Sequence, residues 1–385
     1  LWAVARATEA AGAGDGDGGG RLAFAWAGAA LGLALASHVL SVLLVPVAGL
    51  WILWRHPGPR RRRLAALALV GAVAGIVAFL LWPWLWPDPL VRVARVVRRV
   101  ATYRVDLPVL YLGRIHPGAD PPWHYTAVSL LTSAPVSYTL AAGLGAVTAL
   151  RKGAPAGRRA LGGLALLWLL VPGTVDLLTS TRYDGVRHLL VVLPSLALLA
   201  GLGLDRLWTL AGGGGPEPSG WRGKTAARVA ITLAAGAWLW VLADLVRYHP
   251  YQDAYLNLPV RAALDRPPEE LFEPEYWGSS YKEGAEWLNV HAEPGAVVEV
   301  PVARWCAAPY LDPGLVLEGP EWLEGPGPGD DGARVRKAGP RYLMVMTRKA
   351  LYTPRVREVR ASQRPVFTVE RLGATLLEIY NLPIR

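Results

Sequence analysis

Unbroken apolar blocks of membrane length constrain this chain more than anything else in it. A bilayer core of about 30 Å needs roughly 20 apolar residues of helix. Blocks of that kind run over 64–83, 124–148, 160–180, 189–210 and 227–247. A longer apolar stretch, 22–54, is interrupted at Ser37-His38 and is too long for one straight span. It reads as two short helices with a turn at His38. The expected fold class is an α-helical multi-pass membrane domain followed by a small soluble α/β domain. Residues 1–20 read as a cytoplasmic loop remnant, 21–248 as the transmembrane domain with about seven crossings, and 249–385 as the α/β domain on the extracytoplasmic side. The first residue is Leu1 rather than Met, and the chain is expected to be the back portion of a longer protein.

The net charge of +10 is distributed in a way that bears on topology. Arg55 and Arg60–Arg63 form one basic cluster. Arg151, Lys152, Arg158 and Arg159 form a second, and Arg222, Lys224 and Arg228 a third. Short basic loops are retained in the cytoplasm, and the three clusters fall on one side when the spans alternate. Basic residues placed between apolar blocks fit a membrane topology and not a nucleic-acid face. Trp82, Trp84 and Trp86, and Trp51 and Trp54, suit the aromatic belts at the two interfaces.

The outward segment 88–121 runs against this rule, with Arg92, Arg95, Arg98, Arg99, Arg104 and Arg114. Helical spacing reconciles it. Val93, Val96, Val97 and Val100 share one face while Arg92, Arg95 and Arg99 take the other, which predicts a helix near 89–103 lying in the interface. Its arginines either attract anionic headgroups or hold the phosphate of a lipid substrate.

Beyond residue 250, Ser280–Asn289 reads as an amphipathic helix, Val297–Val302 and Tyr342–Met346 as strands, and Val366–Glu370 with Thr375–Tyr380 as a hairpin about Leu372-Gly373. The Gly-, Pro- and Asp-rich run Glu318–Gly332 reads as a loop. The tail carries no Gly-rich phosphate loop and no spacing suited to a metal. Cys306 is the single cysteine, which leaves no disulfide framework and no thiolate zinc site within this chain. No cofactor is expected.

Candidate chemistry concentrates in Arg182-Tyr183-Asp184-Gly185-Val186-Arg187-His188, a tight loop between two apolar blocks. Guanidinium forks suit phosphate oxygens, and His188 can exchange a proton near neutrality. The competing reading is a solvated turn whose charges mark the interface. His38 is either an interfacial polar residue or a ligand. Asp176 reaches water, pairs with Arg182, or functions as an intramembrane carboxylate. Trp123, His124 and Tyr125 either anchor the span that follows or shape a sugar or lipid groove.

Five stretches together resemble a known family: Leu31–Pro46 (LGLALASHVLSVLLVP), Pro122–Pro135 (PWHYTAVSLLTSAP), Tyr183–Pro194 (YDGVRHLLVVLP), Tyr251–Asn257 (YQDAYLN) and Tyr276–Asn289 (YWGSSYKEGAEWLN). They are similar to segments of the bacterial phospholipid carrier-dependent glycosyltransferases, the protein mannosyltransferase and aminoarabinose transferase group with the GT-C fold. The end of the chain around Phe367–Tyr380 also looks like that family's C-terminal end. The resemblance implies a plasma-membrane enzyme that moves a sugar from a polyprenyl-phosphate donor to a protein, lipid or glycan acceptor on the outer face. It implies that the acidic catalytic base lies upstream of residue 1, so no residue here is assigned that role. Lipid-phosphate or substrate binding is expected on Arg182, Tyr183, Asp184, Arg187, His188, Arg114, His38, Trp123 and Tyr125. Where the family often has Lys after its short helix, this chain has His38. A transporter or flippase of lipid-linked sugars would use the same spans without transfer. A membrane scaffold with an extracytoplasmic binding domain would need neither.

Overall fold

The computed structural model describes residues 1–12, 17–102, 105–118, 120–178, 182–212, 220–319 and 340–383. The chain opens with helices α1 (Trp2–Gly12), α2 (Asp17–Ser37), α3 (Leu44–Arg55), α4 (Arg60–Leu81) and α5 (Pro89–Ala101). A short hairpin, β1 (Val109–Tyr111) and β2 (Arg114–His116), precedes α6 (Tyr125–Ser133) and α7 (Val136–Leu150). Then come α8 (Ala156–Leu178), α9 (Leu193–Leu210) and α10 (Trp221–Tyr248). The remainder alternates short helices and strands: α11 (Leu258–Ala263), α12 (Pro268–Leu271), α13 (Tyr281–His291), β3 (Val297–Glu299), α14 (Arg304–Ala307), β4 (Val316–Glu318), β5 (Arg341–Met346), α15 (Pro354–Ser362), β6 (Phe367–Arg371) and β7 (Ala374–Leu382).

The helical part has the length and composition of a multi-pass membrane protein. Among the described residues, five helices are long and apolar enough to cross a membrane: Gly19–Ser37, Arg60–Leu81, Ala156–Leu178, Arg187–Leu210 and Gly223–Tyr248. The bent pair α6–α7 makes six if it crosses as one. Two features separate this count from the expected seven or so. Val39–Arg55 is a shorter apolar helix, and the block read as one straight span over 124–148 turns by 113° between Ser133 and Val136. Pro135 stands in that break and biases the residue before it away from helix, and Ala134 is extended.

The chain divides into two compact units that are not contiguous in sequence. One comprises Leu1–Val105, Val136–Arg182 and Val186–Ala235; the other comprises Asp106–Pro135, Tyr183–Gly185 and Gly236–Arg385. Residues 106–135 and 183–185, expected in the membrane part, group with the C-terminal sheet.

In the first unit, helices approach through small residues. Added Cβ atoms on Gly28 and Gly32 of α2 would lie 2.8 and 2.6 Å from the Val70 and Ala74 carbonyls of α4. The same holds for α7 and α9, where a Cβ on Gly145 would run into the Leu199 carbonyl and one on Gly203 into that of Ala141. Close backbone approach of this kind supplies van der Waals contact where lipid gives no hydrophobic drive. Residues 1–20, read as a loop remnant, instead contain α1. Its Ala-rich sequence favours helix, Val4 and Ala7 are buried with Phe24 and Ile52, and Thr8 accepts a 3.2 Å hydrogen bond from the Trp51 indole.

The second unit holds a five-stranded mixed sheet in the order β4-β3-β5-β7-β6. β3 pairs in parallel with β4 and β5, and β7 pairs antiparallel with β5 and β6. Tyr342 through Met346 are all buried, as a central strand covered on both faces requires. Tyr342, Met344 and Met346 pack with Tyr281 and Leu288 of α13 on one face. Leu343 and Val345 pack with Val356 and Val359 of α15 on the other. The β6–β7 hairpin turns through Leu372 and Gly373, both at positive φ (46° and 81°), the primed geometry that matches strand twist. Two expectations needed adjustment. β3 stops at Glu299, and Glu318 ends β4, while 320–332 of the expected loop lie outside the described residues. Arg104 lies outside them too.

Candidate functional site

The second unit brings together three charged side chains far apart in sequence. Asp184 and Gly185 form a tight turn with φ of 55° and 59°, a conformation that Asp and Gly tolerate best. The turn buries the Asp184 carboxylate, which accepts a 2.6 Å hydrogen bond from the Arg348 guanidinium. Arg348 follows β5 and is 1% exposed. It also donates to the Tyr276 carbonyl at 3.3 Å, and its Nε lies 3.8 Å from Glu273. One guanidinium therefore faces two buried carboxylates.

Burial raises the Glu273 pKa to about 7, and Asp184 adds to the rise. Arg348 opposes it. Neither Glu273 oxygen completes a hydrogen bond among the described residues. A carboxyl that titrates near neutrality suits proton transfer. At 4% side-chain exposure it is closed to solvent as packed.

An aromatic cluster surrounds the hairpin beside this trio. The buried Tyr111 hydroxyl and His124 Nδ1 are 2.6 Å apart. Tyr125 meets the Tyr111 ring edge-on at 5.2 Å, and Phe272 meets it at 6.4 Å. Tyr125 Oη accepts the Gly185 N–H at 2.9 Å, which ties α6 to the Asp184 turn. Gly113 N–H donates to the Leu271 carbonyl at 3.1 Å, setting the hairpin against the strand of chain that carries Glu273.

A third carboxylate, Glu275, organises the YWGSSY stretch. It accepts the N–H groups of Trp277 (2.9 Å), Gly278 (2.7 Å) and Ser280 (3.0 Å) at the head of α13. Burial and then Asp253 push its pKa up while hydrogen bonds from Ser280 and Gly278 pull it down. The stretch owes its conformation to this carboxylate, with Gly278 at φ 74°.

The expected site residues separate into several environments. Arg182 is buried in the first unit and donates to the Asp176 and Leu177 carbonyls at 3.1 and 2.8 Å. It thus closes the end of α8, and its Nε lies 3.8 Å from the Asp176 carboxylate. Arg187 and His188 open a 3-10 turn, Arg187–Val192, and are partly exposed. Tyr183, Asp184 and Tyr125 are buried in the second unit. Arg114 is exposed on β2, and Trp123 is exposed with its ring edge-on to His124. His38, in the first unit, is an N-cap whose Nδ1 accepts the Leu40 N–H at 3.1 Å.

Asp244, buried in α10, repeats the Asp176 arrangement, being held by Arg261 and by Arg247 at 3.4 Å. Among the described residues no group of three His, Cys, Asp or Glu is placed to hold a metal ion. Sequence reasoning missed Glu273, Glu275 and Arg348. Arg348 had a local signal as a charge directly after the apolar run Leu343–Met346, whereas Glu273 and Glu275 lie in a Pro- and Glu-rich stretch, 267–275, where nothing local sets them apart. No protein family, curated protein or solved structure matches this chain.

Proposed function

We propose that this chain is part of a membrane glycosyltransferase that moves a sugar from a polyprenyl-phosphate donor to a protein, lipid or glycan acceptor at the outer face of the membrane. The observation that carries the reading is the run 182–188 between two membrane-length helices, Ala156–Leu178 and Arg187–Leu210, with Arg187 and His188 at the head of the second. A polyprenyl donor lies in the bilayer with its phosphate at the surface, and a guanidinium at a span end suits that phosphate. The resemblance of the five quoted stretches to lipid-carrier glycosyltransferases supports the same reading.

In the transfer, a lone pair of the acceptor attacks the anomeric carbon. The bond from that carbon to the phosphate oxygen breaks, the polyprenyl phosphate leaves with the electron pair, and the acceptor proton passes to a base. Arg187 would stabilise charge growing on the leaving phosphate. Asp184 is committed to Arg348, so it is assigned a structural part.

Loop charge bears on orientation. The basic loops 55–63, 151–159 and 222–228 share one side only if α6–α7 crosses as a single broken span. The reading therefore takes six spans, puts those loops in the cytoplasm, and puts the sheet on the outer side of a bacterial plasma membrane.

The test is turnover of a radiolabelled polyprenyl-phosphate sugar by full-length protein beside Arg187→Ala. Losing charge-assisted contacts worth about 1.5–3 kcal/mol predicts a fall of roughly 10- to 100-fold. Unchanged transfer removes Arg187 from the site. No transfer with any donor favours a transporter of lipid-linked sugars.

A further inference from the structure

We propose that α5 is a lipid-binding element that lies flat on the outer leaflet and recognises anionic phospholipid headgroups. At about 100° per residue, Leu90, Val93, Val96 and Val97 fall within one arc of roughly 120°. Arg92, Arg95, Arg98 and Arg99 fall in another of roughly 120°. Only Val91 intrudes on the basic side. The apolar arc is uncovered: Leu90, Val93 and Val97 are 86%, 47% and 61% exposed. A helix with so sharp a division of faces and so little packing needs an occupant for the apolar one.

Charge selects that occupant. No Asp or Glu occurs from Pro89 to Ala101. Arg95 and Arg98 are exposed and make no ion pair among the described residues. A cationic helix with an apolar stripe is complementary to a surface that offers phosphates above hydrocarbon.

Placement in the chain agrees. α5 follows the membrane-length α4 after only Trp82–Asp88. The first turn of α5 is tied to that tryptophan segment, because Arg92 donates to the Trp84 carbonyl and stacks 5.0 Å over its ring. Trp86 in turn donates 2.9 Å to the Phe79 carbonyl of α4. The helix is therefore held beside the end of a span, among aromatic residues of the kind that settle at headgroup level. Lipid phosphates would offset an arginine-rich outward segment that loop-charge rules disfavour. This contact depends on the spans and not on sugar transfer.

The test uses the whole chain with Cys306→Ser and one added cysteine, Val97→Cys on the apolar arc or Arg95→Cys on the basic one. Each carries an environment-sensitive fluorophore and is reconstituted in vesicles of acyl-brominated phosphatidylcholine with or without phosphatidylglycerol. With phosphatidylglycerol, the label at 97 should be quenched by bromine and shielded from aqueous iodide, and the label at 95 should show the reverse. Adding Arg98→Gln should weaken the inserted population roughly fivefold, and pure phosphatidylcholine should weaken it further. Equal quenching at both positions, or a label at 97 shielded from bromine and iodide alike, overturns the proposal. So does insertion indifferent to phosphatidylglycerol. Insertion restored by a trace of polyprenyl phosphate alone also overturns it, in favour of a substrate site.

Discussion

Replacing Glu273 by Gln should change how the stability of the sheet-bearing unit depends on pH. The ordinary glutamate pKa of 4.5 is raised to about 7 in the folded chain. Between those values the native state holds a proton that the unfolded chain has released, so stability falls as pH rises. The contribution is neutral below 4.5, erodes from there to about 7, and levels off above. A shift of this size amounts to about 3 kcal/mol. Glu273→Gln keeps the shape and has no proton to lose. The suitable assay is hydrogen exchange at the amides of β5, corrected for intrinsic rates, in wild type and variant from pH 4 to pH 8. Protection in the two proteins should be similar at pH 4. At pH 8 the variant should be better protected by about two orders of magnitude. Parallel profiles would refute the reasoning and mean that Arg348 keeps Glu273 ionised throughout.

Three further outcomes follow from the same contacts. Arg348→Met should cost about 3–5 kcal/mol by leaving Asp184 and Glu273 buried without a counter-charge, read as lost exchange protection in β5; Arg348→Lys should not restore it, because the fork to Asp184 and the Tyr276 carbonyl is gone. Asn257 donates to the Leu131 and Ala134 carbonyls at 2.7 and 3.0 Å and caps α11 through Val260. Asn257→Ala should therefore cost about 1–3 kcal/mol and speed exchange over 126–134. Gly203→Leu should force α9 off the Ala141 carbonyl and sharply reduce monodisperse protein on extraction, where Gly201→Leu, with open space at its Cβ, should extract normally.

Much of the architecture was legible because it depends on local pattern. The apolar blocks, the α13 helix, the β5 strand and the β6–β7 hairpin all follow from periodicity within one element. The amphipathic helix near 89–103 was legible for the same reason. The number of spans was not, since one proline and an extended Ala134 decide whether 125–150 is a rod or a bend. α1 was passed over because its helix-forming alanines lack the length of a span. β1 and β2 are only three residues each, too short to show a period.

The candidate site was legible only in part, for a physical reason. Arg182, Asp184 and Arg187 stand within six residues and look like one anion-binding group, yet Arg182 and Asp184 have different partners. Arg182 turns back on the carbonyls of α8, and Asp184 turns toward Arg348, which lies 164 residues further along the chain. A charge meant for solvent and a charge meant for a buried partner look identical until the partner is known. The cost of burying a lone carboxylate gives a way to tell them apart. Asp176, Asp184 and Asp244 each have an arginine within hydrogen-bonding or ion-pair distance. Pairing of this kind satisfies acidic residues in the apolar half of the chain without invoking chemistry. That argument gives each of the three a structural part in holding the packed chain together.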